Sequence, residues 1–164
     1  MKECKHVYNY RIDCHGNWFC EGNPVDDPAL FRMLSRSLFE ERGKYFVRCE
    51  AETHPVHVDD APLWVRYVHI RATPDGELSR VEIELRDGRA EQLDPESLRS
   101  EDQASLYCTA TPRALKARFA KTAYYELTRF LKEDEERGEL YFDIGGRRFV
   151  VRKTRETQKR PGRL

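Results

Sequence analysis

Hydrophobic and polar side chains alternate most regularly at residues 78–86. Val81, Ile83 and Leu85 fall on one side there, and Arg80, Glu82 and Glu84 on the other. A period of two is that of a strand with one buried face. Shorter β-rich runs recur along the chain, at 8–12, 18–20, 45–49, 54–58, 63–72, 89–93, 105–111, 115–119, 140–144 and 147–151. Turn residues separate them: His15-Gly16-Asn17, Thr73-Pro74-Asp75-Gly76, Asp87-Gly88 and Gly145-Gly146. Each reads as a hairpin or tight turn.

Two stretches change to a helical period. In 28–41, Leu30, Phe31, Leu34 and Leu38 share one face, Asp26 or Asp27 can cap the start, and Pro28 suits the first turn. Gly43 would end that helix. In 121–136 the apolar stripe is Tyr124, Leu127 and Leu131, with Ala123 and Phe130 beside it. Both stretches run into the tetrad Glu-Glu-Arg-Gly, at Glu40–Gly43 and Glu135–Gly138, and then into a strand. The tetrads lie 95 residues apart (135 less 40), whereas Phe31, Leu34 and Leu38 fall on Tyr124, Leu127 and Leu131 at an offset of 93 (124 less 31). The expectation is an α+β protein of two small lobes related by internal duplication. Each lobe would be a mainly antiparallel sheet packed with one helix. Residues 1–72 would form the first and 73–164 the second, with a basic tail from 152. Glu-rich helix ends followed by Gly also arise without duplication.

Composition narrows the classes. With 164 residues the chain can bury roughly 70% of its unfolded surface without disulfides. Apolar content is 39% and charged content 35%, but eight Phe, eight Tyr and two Trp exclude disorder. The formal net charge is zero, so no bulk field attracts nucleic acid or acidic membranes. No run of about 18 apolar residues spans a membrane. The first residues lack the apolar segment of a signal peptide. Five scattered cysteines then read as reduced thiols of a cytoplasmic protein.

The residues suggest several chemistries. Cys4, His6, Cys14, His15 and Cys20 match no closed zinc spacing, and Cys49, His54 and His57 fare no better. His57 and Asp59 stand two apart on an extended segment, the geometry of an oriented base. No nucleophile context accompanies them, and an edge-strand ion pair is the commoner outcome. Asp59-Asp60 diverge as strand neighbours. Phosphate-cradling and hydrolase motifs are absent, so neither cofactor nor metal is expected. Arg113, Lys116, Arg118 and Lys121 crowd the start of the second helix, with Tyr107, Tyr124 and Tyr125 nearby. Cations beside aromatics, at a helix N-terminus that favours anions, can hold a phosphate and stack a base. A solvated basic edge over core tyrosines is the plainer alternative. The tail cations Arg152, Lys153, Arg155, Lys159, Arg160 and Arg163 lack interleaved aromatics, which disfavours nucleic acid as a partner.

The runs Gly16-Asn17-Trp18-Phe19-Cys20-Glu21-Gly22-Asn23-Pro24-Val25 and Val58-Asp59-Asp60-Ala61-Pro62-Leu63, then Leu115-Lys116-Ala117-Arg118 and Ala123-Tyr124-Tyr125-Glu126-Leu127, resemble a bacterial family. It is domain of unknown function family 1285, and the likeness extends over most of the chain. The resemblance implies a duplicated two-lobed α+β protein whose second lobe is superficially pleckstrin-homology-like. It implies a non-catalytic role in signalling, with a nucleotide-like ligand between the lobes. By position, Trp18, Gly22 and Pro24 would shape one edge of that cleft and Asp60 and Pro62 its floor. Arg118 and Tyr125 would face it from the second lobe. The leading expectation is therefore a small anionic ligand paired with Arg118 and Lys121 and stacked on Tyr107 or Tyr125. A protein-interaction adaptor using strand edges and the basic tail is one alternative. A hydrolase using His57 and Asp59 is the other.

Overall fold

A computed structural model describes residues 6–102 and 104–154. The chain begins with β1 (Tyr10–Ile12), β2 (Trp18–Cys20), β3 (Asn23–Pro24), α1 (Pro28–Arg36), β4 (Phe39–Glu41), β5 (Lys44–Cys49) and β6 (Glu52–Val58). These strands make one sheet, ordered β3-β2-β1-β6-β5-β4. Every pairing in it is antiparallel except β1 with β6.

The second sheet contains β7 (Leu63–Ala72), β8 (Leu78–Leu85), β9 (Ala90–Gln92), β10 (Arg99–Ser100), β11 (Tyr107–Ala110) and β12 (Leu115–Phe119). After α2 (Lys121–Thr128) come β13 (Lys132–Asp134), β14 (Glu139–Ile144), β15 (Arg147–Val150) and β16 (Arg152–Lys153). Its order is β13-β14-β8-β7-β12-β11-β10-β16, with β15 on β14 and β9 on β8. The architecture is α+β and dominated by sheet. Residues 63–72 pair within the second sheet, so the chain changes sheet across Asp59-Asp60-Ala61-Pro62 and not after Ala72. Of the basic tail, Arg152 and Lys153 pair in parallel with β10, while Arg155, Lys159, Arg160 and Arg163 lie outside the described residues.

Both helices are shorter than their apolar stripes suggest. The Asp27 carboxylate caps α1 through Ala29 N–H, but the helix ends at Arg36, where the Ser37 hydroxyl turns back to the Leu34 carbonyl. In α2 the Thr128 hydroxyl donates to the Tyr124 carbonyl at 2.7 Å, a bond that competes with helix continuation. Leu38 is buried and Leu131 half-buried, both in the links just before β4 and β13, so the link and not the helix supplies the last apolar position of each stripe. The tetrads are thus hairpin turns, not helix ends. Glu40 and Glu41 belong to β4, and Arg42-Gly43 is a two-residue turn with φ of 55° and 78°. Two left-handed residues are what a type I′ hairpin requires. In the later copy, Asp134 pairs with Glu139 and the whole tetrad forms the loop. The second loop is longer by two residues, which accounts for the change of offset from 93 to 95.

One continuous cluster of buried side chains runs through both sheets, including Ile12, Leu34 and Val47 on one side and Val65, Ile83, Leu127 and Phe142 on the other. α1 lies against β5, and α2 against β7 and β12. Asp87, in the β8–β9 turn, ties the halves together. Its fully buried carboxylate accepts from the Ser35 hydroxyl of α1 at 2.7 Å and from Arg89 at 2.6 Å. Arg36 donates to the Asp87 carbonyl at 2.7 Å. Among the described residues no helix is long and apolar enough to cross a membrane.

Candidate functional site

The junction between the sheets is built around Asp60. Its carboxylate accepts from Arg118 Nη1 at 2.5 Å and from the Tyr107 hydroxyl at 2.9 Å, with Lys116 Nζ at 3.6 Å. Register explains the convergence. Tyr107 and Arg118 are cross-strand partners on β11 and β12, and β12 lies parallel to β7, which the Asp60 segment enters. Burial pushes the Tyr107 phenol up, and its bond to the Asp60 carboxylate adds to the shift. Burial alone would lower Arg118, yet the Asp60 bond and Tyr107 raise it on balance. The network is saturated: Tyr107 is buried, with Lys116 above its ring at 4.4 Å, and Lys116 also pairs with Glu101 at 2.9 Å.

The structure thus brings Asp60, Tyr107 and Arg118 together, but around each other. Arg113 donates to the Arg36 carbonyl at 3.2 Å. Of the four cations at 113–121, only Lys121 has neither a carboxylate within 4.0 Å nor a side-chain hydrogen bond among the described residues. Trp18 is buried between Tyr10 and Phe31, at 6.2 and 6.3 Å between ring centroids, inside the first half. Gly22 sits in the β2–β3 turn at φ 83°, and Pro24 is exposed on the β3 edge. These three lie outside the groove described next. Tyr125 is 58% exposed, on α2.

Lys121 has company that sequence inspection misses. It lines an open groove of about 650 Å³ together with Arg32, Arg66 and Arg86, and with Phe31, Tyr67 and the Ala120 and Thr122 positions. The cations arrive from α1, β7, the residue after β8, and the first turn of α2. Arg66 is the most instructive. Val65 faces Leu85 and Tyr67 faces Glu84, so Arg66 is an extra residue with no partner, a β-bulge. Strand alternation breaks there, and Arg66 and Tyr67 are both exposed. The Val65 carbonyl accepts Ala120 N–H at 2.9 Å, which docks the start of α2 beside the bulge. That helix has no side-chain cap, so its first N–H groups lack a side-chain acceptor among the described residues, and its start at Ala120, Lys121 and Thr122 lines the groove.

None of the four cations has a carboxylate within 4.0 Å among the described residues. Burial, then the neighbouring Arg66 charge, pulls Arg86 below the usual guanidinium range; Asp13 offsets this at longer range. Arg86 covers one face of Trp64 at 5.0 Å, and Arg118 stands over the same ring at 5.5 Å. A second recess of about 600 Å³ adjoins across Arg86, Ala120 and Lys121, lined further by His15, Trp64, Arg118, Tyr124 and Tyr125, so Arg118, Lys121 and Tyr125 share its wall.

The β1–β2 turn closes the Arg86 end, where Arg86 Nη1 donates to the His15 carbonyl at 3.0 Å. Gly16 has φ 83°, and a Cβ there would collide with Arg86 Nη1 and stand 2.8 Å from the Trp64 ring. Gly16→Ala is expected to cost about 1–3 kcal/mol from the left-handed backbone, more with the collision. Thermal unfolding measures it; an unchanged melting temperature would contradict the packing described.

His57 and Asp59 do meet, with Nε2 to Oδ1 at 3.3 Å; His57 is an exposed position of β6, an inner strand of the first sheet, and Asp59 follows the strand's end. Asp59 is engaged more closely by Arg11, at 2.6 Å, and that bond holds its carboxyl below the usual range. His54 is a core histidine whose Nδ1 accepts Tyr8 N–H at 3.0 Å. Among the described residues no three His, Cys, Asp or Glu side chains form a metal-binding group; Cys4 lies outside them. Cys14, Cys20, Cys49 and Cys108 are free thiols, and burial pushes Cys108 up to about 12.

No protein-family model and no curated protein matches the chain. Two solved structures do. A DUF1285 family protein from Silicibacter pomeroyi DSS-3 superposes with a TM-score of 0.73 at 21% identity, covering 90% of this chain and 81% of that one. This chain has the DUF1285 fold. A DUF1285 family protein from Shewanella baltica OS155 superposes with a TM-score of 0.59 at 24% identity, covering 73% of this chain and 90% of that one. The resemblance read from the sequence is therefore met at the level of the DUF1285 architecture. At these identities it extends to the fold and not to the site.

Proposed function

We propose that the protein is a non-catalytic binder of a small anionic, nucleotide-like ligand, held in the groove between its sheets and serving signalling or regulation in the cytoplasm. One observation carries the reading: four cations without carboxylate partners, among the described residues, line a single groove at an uncapped helix start. Guanidinium forks and free N–H groups are matched to phosphate oxygens. Lys121 keeps the phosphate-pairing role, joined by Arg32, Arg66 and Arg86. Arg118 holds Asp60 instead. Tyr125 and Tyr67 offer exposed ring faces for stacking.

Thermal melting in a panel of nucleotides tests this. At a hundredfold excess over the dissociation constant, mass action adds about 2.7 kcal/mol. That is a rise of roughly 5–10 °C for a domain of this size. Lys121→Ala should remove about half of the rise, the effect of a tenfold loss of affinity. A panel without any rise, or a rise that Lys121→Ala leaves whole, ends the proposal.

The internal duplication belongs to the same proposal. Its support is the matched order of strand, helix, short strand, Glu-Glu-Arg-Gly turn and strand in each half, with the offset change confined to one loop. The pleckstrin-homology likeness of the second half rests on the family resemblance alone.

A further inference from the structure

We infer that the groove selects a condensed phosphate, two or three phosphates in one chain, over a single phosphate. The inference rests on the anion-binding reading above and specifies its ligand.

The argument is one of charge and spacing. Arg32, Arg66, Arg86 and Lys121 come from four separate elements, so the positive charge is spread along the walls of a groove of about 650 Å³. Pockets that enclose a drug-sized molecule measure roughly 300–1,000 Å³. One phosphate, at about −1.5 to −2 near neutral pH, would fill a small part of this space and neutralise about half of the four charges. Each further linked phosphate brings about one more charge and three or so acceptor oxygens. The protein holds repulsion here, because Arg66 stands close enough for its charge to oppose that of Arg86, and Asp13 offsets this only in part. The bulge is what forces Arg66 into that position, since a regular ladder would turn it to the opposite side of the strand from Tyr67. A chain of phosphates bridges such cations one after another, whereas a single phosphate can serve one end. Free condensed phosphate and the phosphate chain of a larger organic molecule share this chemistry.

Calorimetric titration of the full chain at fixed ionic strength decides the matter, with orthophosphate, pyrophosphate, tripolyphosphate, a nucleoside triphosphate and citrate as probes. Affinity should rise about tenfold with each linked phosphate, the size expected of one more hydrogen bond to a charged group. Arg66→Gln and Lys121→Gln should each lose about tenfold for tripolyphosphate and much less for orthophosphate. Neither side chain bonds elsewhere in the fold among the described residues, and unchanged circular dichroism would establish that both variants are folded. A nucleoside triphosphate binding more tightly than tripolyphosphate assigns the chain to an organic carrier. Equal binding assigns it to free condensed phosphate. Affinity that stays flat from orthophosphate to tripolyphosphate overturns the inference while leaving an anion site in place. So does citrate binding as tightly as tripolyphosphate. Absence of binding by every probe overturns both readings.

Discussion

Asp87→Ala is expected to destabilise the fold by about 3–5 kcal/mol at neutral pH, the usual cost of breaking a buried charge pair by removing one partner. The side chain is fully buried and accepts four kinds of bond: from the Ser35 hydroxyl, Arg89 Nε and Nη2, and Arg89 N–H. Its loss leaves the buried Ser35 and the half-buried Arg89 guanidinium without their acceptor. It also removes one of the ties between α1 and the β8–β9 turn, the Ser35 bond, and leaves the bonds from Arg36 to the Asp87 backbone carbonyl. The pH profile distinguishes this cause from a packing defect. Burial alone would raise the Asp87 pKa, but the bonds from Arg89 and Ser35 outweigh it and the group lies below its ordinary value. A depressed carboxylate contributes stability above the unfolded value, about 3.9, and loses it as pH falls through the lower folded value. Urea unfolding should therefore give a large wild-type advantage at pH 7 that shrinks below about pH 4. A gap between the two proteins independent of pH would show that the carboxylate charge is not its source.

Trp64→Ala is expected to cost a similar amount, about 3–5 kcal/mol, from lost burial and the cavity left behind. The ring is 8% exposed, its Nε1 donates to the Ala61 carbonyl at 3.3 Å, and two guanidinium groups stand over it. Removing it deprives Arg86 and Arg118 of a shared aromatic surface, so anion binding should fall along with stability. Trp64→Phe keeps a ring beneath the cations and should cost under half as much. Chemical denaturation of both variants, with phosphate-chain titration of whichever remains folded, separates the two effects. Equal losses for Phe and Ala would mean that the indole N–H, and not the ring face, is what the junction needs.

Much of this fold is legible in the sequence because its signals are local. The alternation of Val81, Ile83 and Leu85, the Asp87-Gly88 and Gly145-Gly146 turns, and the Asp27-Pro28 start each act within a few residues. The helix ends were less legible. Leu38 and Leu131 continue a helical spacing by coincidence, since each lies in the short link between a helix and the next strand and turns its side chain to the core. Nothing nearby announces that Ser37 and Thr128 turn the chain back.

The site was legible in part, and for a related reason. A crowd of cations at 113–121 is visible, but the acceptors that occupy Arg118 and Lys116 lie at Asp60 and Glu101, far away in sequence. Conversely, Arg32, Arg66 and Arg86 look like ordinary surface residues until three elements bring them to Lys121. Arg66 in particular reads as one position in a regular strand, because a bulge has no sequence signature of its own here.

That bulge sets a tolerance rule for the molecule. Strand β7 carries both the buried run Leu63-Trp64-Val65 that meets β12 and the outer run that meets β8, and the two runs are out of phase by the one inserted residue. Without Arg66, Val65, Tyr67 and Val68 would face Leu85, Glu84 and Ile83 in a regular ladder, with Val65 and Val68 inward and Tyr67 outward. Any single substitution at Arg66 leaves both faces where they are. The inserted residue therefore adds a cation to the groove without moving either face of the strand, and the groove can gain or lose that charge while the sheet stays as it is.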